Sequence, residues 1–436
     1  PLWDEETDEA YLVHAWAKSR SGIKNRLTGH RMSPDGRELL DDGAILVDAD
    51  RIPGWFTLEG PKLYRYDGYF WIFAPAGGVE TGWQGAFRSR EFSGPYEGRV
   101  VLAQGSTDVN GPHQGGWVRT AAGEDWFLHF QARGAYGRVV HLQPMRWTAG
   151  AGAGSGSAGS DSGGWPVIGD DGEPVSVHAK PAAPPGQPVE APAASDDFPG
   201  GWYGKQWQWT AAPRPGWTAG HADYARPGEG PPTDGHAGDR HAGDGLRLSC
   251  VRTAYAHDLR ALPNVLVQRL PAETFTVEVG VALHSDEPGA KAGLAVLGDA
   301  FSWIGLERDP YDAVRLVHRY AETVAEHERD AEHARPAPAG RARLRIDVTS
   351  GARCRFSADT GDGAGFQPSG RVFAATPWRW VGALFGLFAT APAGTGPAGT
   401  AVFTAFSATD RERSRRTAST PTAPTAPTAP TEKSRP

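Results

Sequence analysis

Cysteine is nearly absent from this 436-residue chain, with Cys250 and Cys354 the only two. Two thiols cannot build a disulfide framework or a zinc site by themselves. They leave either one bridge or two buried thiols, and we expect thiols. Long apolar runs are also missing. No stretch of about 18 consecutive apolar residues occurs, so no segment reads as a membrane-spanning helix. Positive charge is not in excess either: Lys and Arg total 44 against 51 Asp and Glu, for a net charge of -7 and a pI near 6.1. That balance excludes a general electrostatic attraction for nucleic acid or an anionic membrane. The chain starts at Pro1 without a visible signal peptide. The start reads as a cut, which leaves secretion and cytoplasmic residence equally open.

Glycine and tryptophan, in contrast, are abundant, at 57 and 16 residues. With few long helical runs, they point to an all-β protein with aromatic surfaces for binding. The length implies two domains.

Residues 1–148 carry a weak internal repeat. Three aromatic-rich strands, residues 10–16, 69–74 and 125–130, each follow an acidic or Gly-containing turn. Each is followed by an alternating strand with basic residues, over 25–32, 85–90 and 138–143. Short strands at 44–47 and 100–102 close the first two units. A recurrence of roughly 50 to 60 residues predicts propeller blades of about four strands. The first strand of each blade then opens at Pro1-Leu2-Trp3, at Glu59-Gly60-Pro61 and near Pro112-His113. Three blades are too few to close a ring of the usual four to eight.

Residues 148–164 are almost all Gly, Ala and Ser and read as a flexible insertion, before strand character resumes at 165–168. A Pro- and Ala-rich linker is expected at 186–195. From residue 196 to 410 short runs of period-two alternation, such as Thr274-Phe275-Thr276-Val277-Glu278-Val279, predict a two-sheet β-sandwich. The repeated His-Ala-Gly-Asp at His236 and His241 reads as a slipped-repeat loop rather than a metal site. Residues 411–436, basic and then Thr/Ala/Pro, read as a disordered tail.

The stretch Leu58-Glu59-Gly60-Pro61-Lys62-Leu63-Tyr64 resembles glycoside hydrolase family 43. So do Phe73-Ala74-Pro75-Ala76-Gly77-Gly78, Asn110-Gly111-Pro112-His113-Gln114-Gly115-Gly116-Trp117 and Gly137-Arg138-Val139-Val140-His141-Leu142-Gln143-Pro144. These motifs occur in the family's order. The resemblance implies that residues 1–185 are the later part of a five-bladed β-propeller of the β-xylosidase or α-L-arabinofuranosidase type. It further implies that residues 196–410 are the concanavalin A-like β-sandwich that follows it.

The chemistry so implied is inverting hydrolysis by two carboxyl groups, an acid for the leaving oxygen and a base for water, roughly 6.5–9.5 Å apart. Glu59 matches the general acid, a role that calls for a raised pKa. The general base and the aspartate that tunes the acid fall upstream of Pro1 in this alignment. Asp4 and Asp8 read as turn residues. His113 matches a channel histidine that holds a calcium ion or a water, or else serves as a hydrogen-bonded structural residue. Arg138 matches an arginine that reaches the sugar beside the cleaved bond, against the simpler reading of a surface arginine. Trp83 and Phe73 are candidate pocket walls, equally readable as blade core. Gln114 and Trp117 are expected to pack around the site, and most sandwich tryptophans to be core.

The function expected is a glycosidase releasing xylose or arabinose from xylan, arabinoxylan or arabinan, with an oligo- or polysaccharide as partner and no cofactor beyond a structural calcium. Lacking the base, and with open blade edges that invite aggregation, the chain itself is expected to be a poor catalyst. The alternative is a non-catalytic carbohydrate-binding protein. A β-repeat scaffold without a sugar site is disfavoured by the joint presence of Glu59, His113 and Arg138.

Overall fold

The computed structural model describes residues 1–148, 164–182, 186, 192–218, 245–378 and 381–410. Most of the Gly/Ala/Ser insertion, half of the expected linker, the His236 and His241 repeat, Trp380 and the tail from 411 lie outside the described residues. The chain divides into two compact units. The first comprises Pro1–Arg133 and Gly137–Val189, and the second Gly134–Tyr136 with Glu190–Pro436.

The first unit contains three four-stranded antiparallel sheets, each an up-and-down meander. Strands β1 (Leu2–Asp4), β2 (Glu9–Ala15), β3 (Arg26–Met32) and β4 (Ala44–Asp48) form the first sheet. The second holds β5 (Lys62–Tyr66), β6 (Tyr69–Ala76), β7 (Trp83–Ser89) and β8 (Glu97–Ala103). The third holds β9 (His113–Arg119), β10 (Asp125–Ala132), β11 (Arg138–Trp147) and β12 (Pro166–Ile168). The repeat seen in the sequence is this sheet, three times over. The tight turn between β5 and β6 shows how local sequence sets it. Tyr66 pairs with Tyr69, and the two residues between, Asp67 and Gly68, both have positive φ (51° and 72°). A two-residue hairpin of that hand matches strand twist, and Asp-Gly adopts it at little cost.

Strand β6 does not alternate: all eight of its residues are buried. The reason is its place between two neighbouring sheets. Phe70, Ile72 and Ala74 pack with Tyr11, Val13 and Leu27 on one side. Tyr69, Trp71 and Phe73 pack with Phe127, Met145 and Trp165 on the other. Each large apolar side chain so buried contributes roughly 1.5–3 kcal/mol. Phe73 therefore needs correction as a pocket wall. It is 0% exposed, with its ring 5.5 Å from Phe127 and 5.7 Å from Tyr64, and it is blade core.

The second unit is a β-sandwich. Its six-stranded sheet runs in the order 246–249, 400–410, 275–284, 341–349, 353–359, 367–374, and a nine-stranded sheet is built around 384–392, 291–297 and 301–308. Alternation is strict where one face meets the core. Along Phe275–His284 the residues Phe275, Val277, Val279, Val281 and Leu283 are buried and meet Leu294, Ile304 and Phe385 in one cluster. The nine-stranded sheet is buried on its other face too, by Leu259, Leu262 and Trp378 over Trp303 and Phe388. Cys250 and Cys354 are free buried thiols, each pushed up to about 12 by burial. Of the clustered tryptophans, Trp207 and Trp217 are core. The Trp207 indole donates to Asp196 at 2.9 Å.

Candidate active site

Glu59 sits just ahead of β5, in a segment held in place from both sides. Its backbone N–H donates to Pro75 O at 3.1 Å, and Gly77 N–H donates to Phe56 O at 2.7 Å. Leu58 N–H donates to the Asn25 side chain at 3.3 Å. Thr57 and Gly60, flanking it, both have φ of 53°. A β-branched residue in that region is a genuine backbone outlier, and such strain concentrates at functional sites. The Glu59 side chain is 42% exposed, so the carboxyl group is anchored at its backbone and open at its tip.

Two side chains from the start of β9 meet that carboxyl. His113 Nε2 lies 3.7 Å from Glu59 Oε1, and the Gln114 amide donates to the same oxygen at 3.5 Å. Gln114 has φ of 52°, and a Cβ on Gly60 would strike its side chain at 2.1 Å, so Gly60 is required for the approach. Gln84, fully buried on β7, accepts from Gly115 N–H at 3.0 Å and fixes the strand that carries both.

His113 is wholly buried. Neither ring nitrogen has a hydrogen-bond partner among the described residues. Burial lowers its pKa to about 4, and the positive charge of Arg138 pushes the same way. It is therefore a neutral imidazole near pH 7. Arg138, at the start of β11, is exposed and lies with its guanidinium 4.6 Å from the centre of the Phe130 ring, which is 6.1 Å from the His113 ring. Glu59, His113 and Arg138, far apart in sequence, are thus linked through His113 and Phe130.

Trp83 is half-buried and meets Trp55 and Phe56 edge-on, each at 5.8 Å. Its neighbour Gly82 packs on His113, where a Cβ would come within 2.8 Å of Cε1. Trp117 packs between Tyr64, Tyr66 and Trp147, and its indole donates to Asp125 at 2.8 Å. Asp4 is buried at the far end of β1, where its carboxylate lies 3.7 Å from Arg65 Nε. Asp8 occupies the turn before β2. Two residues at the site went unassigned in the sequence. Lys62 is half-buried, donates to Gly60 O at 3.3 Å, and has its pKa lowered by burial. Phe56 exposes 48% of its surface beside Trp83. Lys62 carried one signal, an alternating strand position directly after Glu59-Gly60-Pro61.

The buried nitrogens of His113, neither with a hydrogen-bond partner among the described residues, suit a water. A calcium ion wants six to eight oxygen ligands. Among the described residues no group of three or more His, Cys, Asp or Glu could hold a metal. The residues present do not make a calcium cage, and no step below is routed through one.

Residues 1–151 match the family model described as glycosyl hydrolases family 43. Residues 236–409 match that of the beta xylosidase C-terminal concanavalin A-like domain. A relative from Xylanibacter ruminicola named for beta-xylosidase is 34% identical over 315 residues, 71% of this chain and 50% of the relative. A beta-xylosidase of Formosa agariphila is 26% identical over 427 residues, 89% of this chain and 65% of the relative. The chain thus spans about half to two thirds of the length of these curated relatives. Among solved structures, a xylan beta-1,4-xylosidase from Bacillus halodurans superposes with a TM-score of 0.74 at 19% identity, over 94% of this chain and 75% of that one. A family 43 protein from Bacillus licheniformis gives 0.72 at 20% identity, over 93% and 73%. At these identities the structures speak for the fold, a family 43 propeller region with a concanavalin A-like sandwich. The chain belongs to glycosyl hydrolase family 43 and carries the C-terminal concanavalin A-like domain of its beta-xylosidases.

Proposed function

We propose that this chain supplies the acid half of a glycosidase site. The site releases a terminal pentose from xylan, arabinoxylan or arabinan-type substrates by an inverting, two-carboxyl mechanism. The observation that carries the reading is the Glu59 carboxyl, tip exposed, held at the start of a strand between His113 and Gln114. Glu59 protonates the leaving glycosidic oxygen. A second carboxylate on the opposite face of the sugar draws the proton from water. Gln114 orients the Glu59 carboxyl. The neutral His113 holds a water beneath it without adding a charge. Arg138 hydrogen-bonds sugar hydroxyls next to the cleaved bond, and Trp83 with Phe56 forms the apolar wall. The relatives' names favour xylose over arabinose as the released sugar.

We assign the general base and the aspartate that tunes Glu59 to the length of the relatives that this chain does not span. Two exposed apolar faces support further blades. Val118, Leu128, Val140 and Leu142 are exposed on the third sheet, where Leu128 and Leu142 are register partners. Trp3 and Ile45 are exposed on the first. Faces of this kind mark packing sites. By this reading the chain alone is a weak catalyst in an open ring.

The test assays this chain, and a version extended upstream, on aryl β-xyloside and aryl α-L-arabinofuranoside, following the anomer released by NMR. The extended protein is expected to turn over the xyloside with inversion, and this chain only feebly. Robust turnover by this chain would overturn the missing-base assignment. Net retention would overturn the inverting mechanism. An extended protein that binds xylo-oligosaccharides and hydrolyses none would be a carbohydrate-binding protein instead.

A further inference from the structure

The outer face of the six-stranded sheet holds a depression that the glycosidase site does not use. Register places its parts. Across one row lie Val402, Ala282 and Arg341, and across the next Thr404, Gly280 and Arg343. These positions alternate with Val281, Ala342 and Phe403, which point into the core, so all six face outward. Gly280 and Ala282 are too small to fill the space between the walls. The result is an open cavity of about 320 Å³, at the lower end of the range for small-ligand pockets, roughly 300–1,000 Å³. Gly280 is no accident of composition. The strand pairing shifts register beside it, and a Cβ there would meet Thr404 Oγ1 at 2.6 Å.

The two arginines on the rim differ. Arg343 donates to Glu278 at 3.1 Å and lies over the Phe366 ring. Arg341 is exposed and has no ion-pair or hydrogen-bond partner among the described residues. A guanidinium offers a planar fork of donors suited to a carboxylate.

We propose that this depression is a second saccharide site, for a sugar ring that bears a carboxylate, a uronic acid unit of a glycan. It rests on the reading that the protein works on polysaccharides. The ring lies with its C–H face on Ala282 and Val402. Its carboxylate is taken by Arg341, and its hydroxyls reach Thr404. Asp359, beside Arg343 in the same row, is the acidic group of the lining and accepts from Gly361 N–H at 2.9 Å. Arg341 sets the choice over a neutral pentose, which would leave it without an acceptor.

The test titrates the full chain calorimetrically with a xylo-oligosaccharide carrying a glucuronate branch, with its carboxyl-reduced counterpart, and with free glucuronate. The branched ligand is expected to bind saturably, and its reduced form about tenfold more weakly or worse. Arg341→Ala should bring the same loss with an unchanged circular dichroism spectrum and melt. Arg341→Lys should recover only part, since the fork is gone. Free glucuronate that binds with the same Arg341 dependence would place recognition in the acid ring itself and support the site. Equal binding of charged and reduced forms, indifference to Arg341→Ala, or no binding by folded protein would each overturn it. Turnover of aryl xyloside by the extended protein, measured in parallel, separates the two readings. Carboxylate binding without turnover sinks the glycosidase reading alone, and turnover unaffected in Arg341→Ala but without carboxylate binding sinks this site alone.

Discussion

Glu59 and Arg138 are asked to do different work, and substitutions should separate them. Glu59→Gln keeps the shape and the contact with Gln114 but removes the proton. In the extended protein it should lower kcat by about 10²–10⁴ with little change in KM, read from initial rates on an aryl xyloside with a poor leaving group. A loss of only a few-fold would remove Glu59 from the acid role. Arg138 lies over Phe130 and beside His113 without touching the carboxyl. Arg138→Ala should mainly raise KM, by tenfold or so for a lost charged hydrogen bond to substrate. If instead kcat alone fell, its role would be electrostatic and not substrate binding. Glu59 was legible in the sequence because Gly-Pro follows it and the repeat puts it at a strand start. Phe73 was not, because a period-two pattern cannot say that a strand is covered on both sides.

At the scale of elements, the site depends on two glycine-bearing loops fitting each other. Gly82, ahead of β7, lies where any Cβ would come within 2.1 Å of Ala76 O and 2.8 Å of His113. Gly82→Ala is therefore expected to destabilise by about 1–3 kcal/mol, the usual cost of overpacking, visible as a lower urea midpoint. It should also lower activity of the extended protein, since His113 must move. Trp83→Ala, one residue on, should leave stability less affected and raise KM, because Trp83 is only half-buried. Equal effects of the two substitutions on both measurements would argue that this segment is packing alone. The strands themselves were visible in the sequence. The fit of the loop before β7 against β9 was not, because it joins residues of different repeats.

For the whole molecule, buried histidines tie folding to pH. Burial lowers His113 and His129 in the first unit, and His318 in the second, to about 4 from 6.5. Between pH 6.5 and 4 the unfolded chain therefore binds protons that the folded chain refuses, and stability falls as pH falls. Each histidine contributes up to about 3 kcal/mol, present in full above pH 6.5 and lost progressively toward pH 4. Thermal melts at pH 7, 6 and 5 should show a falling midpoint. Replacing His318 by Gln should flatten that fall for the sandwich. A midpoint independent of pH over this range would mean that the three imidazoles are not buried as neutral groups. His318 is held by Ser302 at 3.0 Å and Ser369 at 3.1 Å, partners on strands of different sheets, so its burial belongs to no local pattern.

What the sequence determined by itself was everything carried by local spacing. Turn residues and alternation specified three like sheets and a sandwich, and separate short motifs singled out Glu59, His113 and Arg138 as candidates. These are features of one strand and its turn, and their physics is short-range. Only the tertiary structure decided which side chains meet. It put Phe73 in the core and brought His113 and Gln114 to the Glu59 carboxyl. It also left Arg341 without a side-chain partner among the described residues, over a floor of Gly280 and Ala282. Each of these depends on the packing or pairing of strands distant in sequence, where contact is set by register, sheet twist and the space left between faces.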